Sequence, residues 1–190
     1  MSKIFQEIDD KLARWINRQH MFFVGTAPAG VDGSINVSPK GMDGTFAVLG
    51  PRRVGYLDYT GSGIETIAHV RENGRIVLMF CAFEGPPKII RLHGTARVVL
   101  TADPDFAQLR PAFGKDREVG QRSIIVVDLT RISDSCGYSV PLMDFREDRD
   151  TLDRVQLHNG EAYYPRYWRK HNATSIDGIP GVPSEVNAES

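Results

Sequence analysis

Residues 58–66 read Asp-Tyr-Thr-Gly-Ser-Gly-Ile-Glu-Thr, the end of a strand, a glycine-rich turn and the start of a helix. A helix N-terminus carries unpaired N–H groups and a partial positive charge, so it can bind a phosphate without help from lysine. Glycines ahead of it let an anion approach the backbone closely. The same residues have a purely structural reading. Ser62-x-x-Glu65 is a capping box, in which the Ser62 hydroxyl accepts the Glu65 amide and the Glu65 carboxylate accepts the Ser62 amide. A carboxylate in that place occupies the positive end of the helix and repels a phosphate. Gly61, Ser62 and Gly63 stand between these two readings.

Three further sets of residues could join such a site. Lys40 follows Ser38 and Pro39 on a short strand that an antiparallel sheet could set beside residues 53–60. Tyr56, Asp58 and Thr60 alternate on one side of their strand and would line a site with polar groups, or else face solvent. Arg91, His93 and Arg97 share a strand face, a pattern that suits an anion patch or a solvated surface equally. Signatures of self-sufficient chemistry are missing: there is no P-loop, no dinucleotide GxGxxG, no HExxH and no Cys-x-x-Cys. His20, His69, His93, His158 and His171 are scattered without ligand spacing, so no metal site is expected. An enzyme without an acid, base or nucleophile constellation borrows its chemistry from a bound cofactor.

The chain has 190 residues, 41% of them hydrophobic, which fits one domain with a sizeable core. Lys and Arg number 23 against 24 Asp and Glu, so the totals carry no electrostatic footprint for nucleic acid or an anionic membrane. The first twenty residues are charged throughout and lack the apolar core of a signal peptide, and no apolar run is long enough to span a bilayer. A cytoplasmic location is the expectation. Cys81 and Cys136 show no redox or metal spacing, and Asn172-Ala173-Thr174 reads as a chance match to a glycosylation acceptor.

The elements that must position these residues follow from periodicity. Residues 4–18 place Ile4, Ile8, Leu12, Trp15 and Ile16 at helical spacing. Strands are expected at 21–27, 35–41 (broken by Pro39), 45–50 and 53–59, the last two joined tightly through Gly50-Pro51. A helix after Gly63 should stop at Asn73-Gly74. Residues 75–83 are apolar on both faces and require cover on both sides, by a helix or by a second subunit. Strands at 88–100 and 123–132 follow, with helices from Asp103-Pro104 and over 148–158. Beyond Gly160 the chain looks aromatic and irregular, and 178–190 reads as a mobile tail. The expected organisation is a domain over 1–160 and a C-terminal extension over 161–190. Six or more strands with few helices point to a mostly β protein, a Greek-key-type antiparallel barrel with peripheral helices, and away from a doubly wound sheet.

Residues 35–99, from "INVSPKGMDGTFAVLGPRRVGYLDYTGSGIETIAHV" through "RENGRIVLMFCAFEGPPKIIRLHGTARVV", resemble the flavin-binding core of the pyridoxamine 5′-phosphate oxidase-related family. The resemblance implies a split β-barrel that forms a homodimer with FMN at the subunit interface. It implies that Asp58, Tyr59, Thr60, Gly61, Ser62 and Gly63 contact the phosphate and ribityl chain, with Ser38 and Lys40 near the ring or the phosphate. Glu65 would turn aside to cap the helix or bind a ribityl hydroxyl. Arg91 and Arg97 would reach the flavin from the partner subunit. Departures accompany the match: the family's Arg-Lys pair after the turn is Ile64, Glu65 and Thr66 here, a flavin-contacting glutamine is Ile89, and Trp168 and Arg169 are the nearest counterparts of the C-terminal substrate-gripping pair. The expected function is FMN-dependent oxidoreduction of an unidentified small molecule. A non-catalytic module that binds flavin, deazaflavin or haem (with His93 or His171 as axial ligand) is the alternative.

Overall fold

The computed structural model describes residues 3–183. A two-residue strand β1 (Ile4–Phe5) precedes helix α1 (Asp10–Asn17), so Ile4 lies on a strand rather than on the expected opening helix. The reason is local: the Asp9 carboxylate accepts the Leu12 amide at 2.7 Å and starts the helix there, leaving the preceding residues to pair with the sheet. Strands β2 (Met21–Thr26), β3 (Asn36–Gly41), β4 (Phe46–Gly50) and β5 (Arg53–Tyr59) follow. Pro39 does not break β3, which runs through it in register with β2 at the sheet edge, the place in a sheet where proline is tolerated.

Helix α2 (Glu65–Asn73) ends on Gly74 at φ 71°, the left-handed stop expected from Asn-Gly. Strands β6 (Arg75–Cys81) and β7 (Ile89–Leu100), helix α3 (Pro104–Leu109) and the long strand β8 (Gln121–Ser135) come next. Helices α4 (Thr151–Asn159) and α5 (Tyr164–His171) close the chain, and α5 corrects the irregular reading of that region. Its sequence, YPRYWRKH, hides a helix because Pro165 and the clustered aromatics obscure the period. Pro165 falls in the first turn, where it is tolerated, and Tyr164 and Trp168 sit one turn apart, both buried. Part of the expected mobile tail is packed: Gly181 and Val182 are buried, Val182 in the main core, and the Gly181 carbonyl accepts Arg71. The expected tail beyond residue 183 lies outside the described residues.

All strand pairings are antiparallel, in the order β3-β2-β6-β7-β8-β5-β4, with β1 beside β8. The sheet curls into a split barrel. Its inner core joins Phe22, Val24, Tyr56, Leu78 and Leu92 of the strands to Leu12 and Ile16 of α1 and Ile64, Ile67 and Val70 at α2. Each such side chain contributes roughly 1.5–3 kcal/mol through burial. A second cluster covers the outer face of β5 and β8, where Leu57, Tyr59, Ile124 and Val126 meet Phe113. Thus β5 and β8 are buried on both faces. In β6 the outward residues Val77 and Met79 are only half-buried, so within one chain the cover expected for 75–83 is incomplete.

Candidate functional site

β5 runs out of the barrel at Tyr59, and its inward residues Tyr56 and Asp58 alternate as the period of a strand requires. Asp58 is 1% exposed. One carboxylate oxygen accepts Arg122 Nε at 2.8 Å and Ser123 Oγ at 3.3 Å, and the other faces Lys40 Nζ at 3.5 Å. Burial alone would raise the Asp58 carboxyl. The charges of Arg122 and Lys40, with the hydrogen bonds from Arg122 and Ser123, outweigh it and hold the group below its ordinary value. Tyr56 responds in the opposite sense: burial, then the Asp58 charge, push its phenol well above the ordinary range despite Arg122.

Arg122 is the centre of the arrangement. Besides Asp58, its Nη1 donates to the Gly63 carbonyl at 3.1 Å and to Asn172 Oδ1 at 2.9 Å. Asn172, fully buried, donates in turn to the carbonyls of Gly61 (3.2 Å) and Ser62 (3.3 Å). An asparagine so placed is no glycosylation acceptor. The three carbonyls of the Gly-Ser-Gly turn are therefore tied inward, while the amides of Gly61, Ser62 and Gly63 have no acceptor among the described residues. Thr60 is fixed just before the turn. Its carbonyl accepts Gln156 Nε2 at 2.8 Å and its hydroxyl accepts Trp168 Nε1 at 2.9 Å, so α4 and α5 both serve to hold the strand end.

The capping box does not form. The N-cap of α2 is Ile64, with no side-chain cap from Ser62, and the Glu65 carboxylate accepts the Ile64 amide at 3.0 Å instead. Its other oxygen accepts the Ile176 amide at 3.4 Å. Because the carboxylate folds back across the turn, a Cβ on Gly63 would lie 2.9 Å from Glu65 Oε2. Ser62 itself is exposed, two residues ahead of the cap position it was expected to fill.

Beside this turn, β3 presents Asn36, Ser38 and Lys40 on one face. Asn36 Nδ2 donates to Thr66 Oγ1 (3.1 Å) and Thr26 Oγ1 (3.3 Å), and Ser38 Oγ donates to Asn36 Oδ1 (3.2 Å). Thr26 Oγ1 also meets His69 Nδ1 at 3.0 Å. His69 is fully buried, and burial lowers its basicity against the opposing pull of Asp177, Glu65 and Glu72. The result is a partly exposed polar ladder running from α2 across β2 to Lys40, which keeps a quarter of its side chain in solvent.

The structure thus brings together Ser38, Lys40, Asp58, Thr60, Gly61, Ser62, Gly63 and Glu65. It does not bring in the others. The Tyr59 ring faces the outer cluster, its hydroxyl donating to the Arg117 carbonyl at 2.6 Å. Arg91 donates to Ser135 Oγ at 2.9 Å on the outward sheet face, and Arg97 is exposed and paired with Asp105 at 3.1 Å. Trp168, spent on Thr60, is not free to grip a substrate. His93 lies beside Arg91 and Arg131, and His171 packs on Tyr167 with ring centroids 4.7 Å apart on another element. The described residues contain no cluster suited to a metal ion, and no described helix is long and apolar enough to cross a membrane.

Sequence reasoning missed Arg122, Asn172, Asn36, Thr66 and His69. For Arg122 a signal existed: a lone cation entering the apolar run SIIVVDL must find a buried partner.

Residues 8–136 match the family model described as pyridoxamine 5′-phosphate oxidase. A pyridoxamine 5′-phosphate oxidase family protein of Aspergillus flavus, ustO, is 40% identical over 98% of this chain and 80% of its own length. HupZ of Group A Streptococcus shares the fold. A histidine-to-alanine variant of it aligns with a TM-score of 0.54 at 22% identity over 67% of this chain and 99% of its own, and a second HupZ structure gives 0.52 at 22% over 66% and 91%. This chain belongs to the pyridoxamine 5′-phosphate oxidase family.

Proposed function

We propose that the chain is an FMN-binding flavoprotein that works as a homodimer and serves as an oxidoreductase for a small molecule not yet identified. The observation that carries this reading is the meeting of the Asn36–Ser38–Lys40 ladder with a turn whose carbonyls are tied back and whose amides are unengaged. A phosphorylated flavin needs a cation and amides for its phosphate, and hydroxyl or amide side chains for the ribityl oxygens. Lys40 and the amides of Gly61, Ser62 and Gly63 suit the first need. Ser38, Asn36, Thr66 and Ser62 suit the second. Asp58 does not cancel Lys40, because Arg122 already neutralises it. Glu65 is the one group that opposes a phosphate, and it must turn away from the Ile64 amide for the anion to sit there.

When bound, the flavin supplies the redox chemistry. The chain's own part is to position, to donate hydrogen bonds and to exclude water. Lys40 faces Asp58 at 3.5 Å and offers its remaining N–H donors to an anion or a ring oxygen. Arg122 and Asn172 keep the turn in one conformation without touching the ligand.

The dimer reading rests on the outward sheet face. Val37 is 66% exposed on the edge strand, and Phe23, Val77 and Met79 lie alongside on neighbouring strands, partly bare. A second copy would cover them. Arg91 lies on that same face, which makes it, ahead of Arg97, the residue proposed to reach a flavin bound by the other copy.

Substitution tests the site. Lys40→Ala and Ser62→Ala should each weaken FMN binding, Lys40→Ala by about 10- to 100-fold for a charge-assisted contact, with thermal stability retained. Unchanged affinity in both variants would sink the assignment.

A further inference from the structure

A cavity of about 860 Å³, lined by none of the residues gathered at the Lys40 site, lies between α1, the β6–β7 loop and a coil over residues 143–146. Three elements build it. α1 turns Leu12 and Ile16 to the core, and the neighbouring stripe Lys11, Trp15 and Arg18, at helical spacing, lines the cavity. The loop contributes Phe83, Pro86 and Lys88. The coil forms the roof and is pinned: the Met143 amide donates to the Phe83 carbonyl at 2.9 Å, and the Phe145 amide donates to the Glu84 carboxylate at 3.0 Å. Phe145 also lies flat on His20, ring centroids 3.6 Å apart and 7° from parallel.

The walls are apolar and aromatic while the charges round them are mainly positive. Lys11, Arg18 and Lys88 face Glu84 and Asp144, while Arg146 is paired with Glu147 at 3.7 Å, which leaves an excess of one cation from three basic and two acidic side chains. Glu84 is engaged by the Phe145 amide. Lys11, Arg18 and Lys88 make no ion pair among the described residues; Lys88 lies instead 5.0 Å above the Trp15 ring. Unpaired cations gathered around an apolar hollow repel one another and return little to the fold. An anion with a flat apolar body would be attracted by the charges and buried by the walls.

We infer that this cavity is a second ligand site, separate from the Lys40 ladder, and that it takes a small organic acid with an aromatic body. The size suits one or two fused rings.

The test uses the full chain and 8-anilino-1-naphthalenesulfonate as probe, with N-phenyl-1-naphthylamine as the body without the charge. Saturable binding of the sulfonate at one per chain, with a rise in Tm, is expected. Lys11→Glu with Arg18→Glu should weaken it at least tenfold while the neutral probe is unaffected, and Trp15→Phe should abolish energy transfer from that ring without abolishing binding. FMN at saturating concentration should not displace the probe. Absent or unsaturable binding in the native chain, indifference to the charge reversal, unchanged energy transfer in Trp15→Phe, or competitive displacement by FMN would each overturn the inference. Far-UV circular dichroism verifies that the charge-reversed chain is folded. Should it not fold, Lys88→Glu replaces it, with the same tenfold loss expected and indifference again overturning the inference.

Discussion

Arg122→Met removes the guanidinium on which the turn, Asp58 and Asn172 all converge. Arg122 is 4% exposed and Asp58 1%, so neither is relieved by solvent. In the variant the Asp58 carboxylate keeps only Lys40 at 3.5 Å and Ser123 at 3.3 Å. Breaking one side of a buried pair costs about 3–5 kcal/mol, because the remaining charge is left dry and under-compensated. The acceptors at Gly63 and Asn172 also lose their donor, a cost that overlaps with the first rather than adding in full. For a chain this long each kcal/mol lowers Tm by roughly 2–4 °C, so the expected drop is about 6–20 °C. Thermal and urea unfolding followed by far-UV circular dichroism measure the two quantities.

The pH dependence supplies a second reading of the same pair. Asp58 is depressed in the folded chain, so it contributes stability that is present above the unfolded carboxylate value of about 4 and is lost as pH falls through the folded value. In Arg122→Met that acid limb should shrink, since burial then dominates. The double variant Asp58→Asn/Arg122→Met should lose less than the sum of the two single losses. A cost below about 1 kcal/mol for Arg122→Met, no more than an ordinary substitution, with the acid limb unchanged, would refute the reasoning.

Other perturbations bear on neighbouring parts of the account. Glu65→Gln removes the carboxylate that folds over Gly63, and should raise affinity for FMN relative to riboflavin by roughly 2- to 10-fold, the scale of one charge at a helix N-terminus; paired titrations with the two flavins measure it, and an unchanged ratio would place the phosphate elsewhere. His69 is held neutral by burial, so its folded value lies below the unfolded one and its contribution is full above about pH 6.5 and erodes as pH falls through the folded value. His69→Gln should therefore flatten the loss of Tm between neutral and mildly acid pH, read by thermal unfolding across that range. Val37→Glu puts a charge on the proposed dimer face at a position already exposed in the single chain, and sedimentation equilibrium should show a shift toward monomer; a variant as dimeric as the parent would move the interface to another face.

How much of this was legible in the sequence differs by element. The antiparallel strands were readable because one or both faces carry apolar runs, and Asn73-Gly74 marked the end of α2 through a left-handed stop that needs no tertiary information. The opening helix was overextended because Ile4 and Ile8 continue the helical period, although Asp9 caps later. α5 was hidden because its two buried aromatics stand among charged and polar neighbours, and its stability comes from Thr60 and the core rather than from propensity. At the candidate site, strand alternation points to Asp58 and the glycines ahead of a helix point to the Gly-Ser-Gly turn. Lys40 enters through a strand that an antiparallel sheet could set beside residues 53–60, and it is the family resemblance that joins the three. Arg122 and Asn172 were not legible, since their partners lie 64 and 111 residues away along the chain and only the fold brings them together. The capping box was a sound local pattern that lost to geometry: the chain enters α2 through Ile64, and Glu65 satisfies that amide itself.

The most direct test of the central claim is a titration of the freshly purified chain with FMN, followed by visible absorption and flavin fluorescence. The account predicts saturation at one FMN per chain, with the affinity falling about 10- to 100-fold in Lys40→Ala. No saturable binding of FMN by the folded, unmodified chain would contradict it.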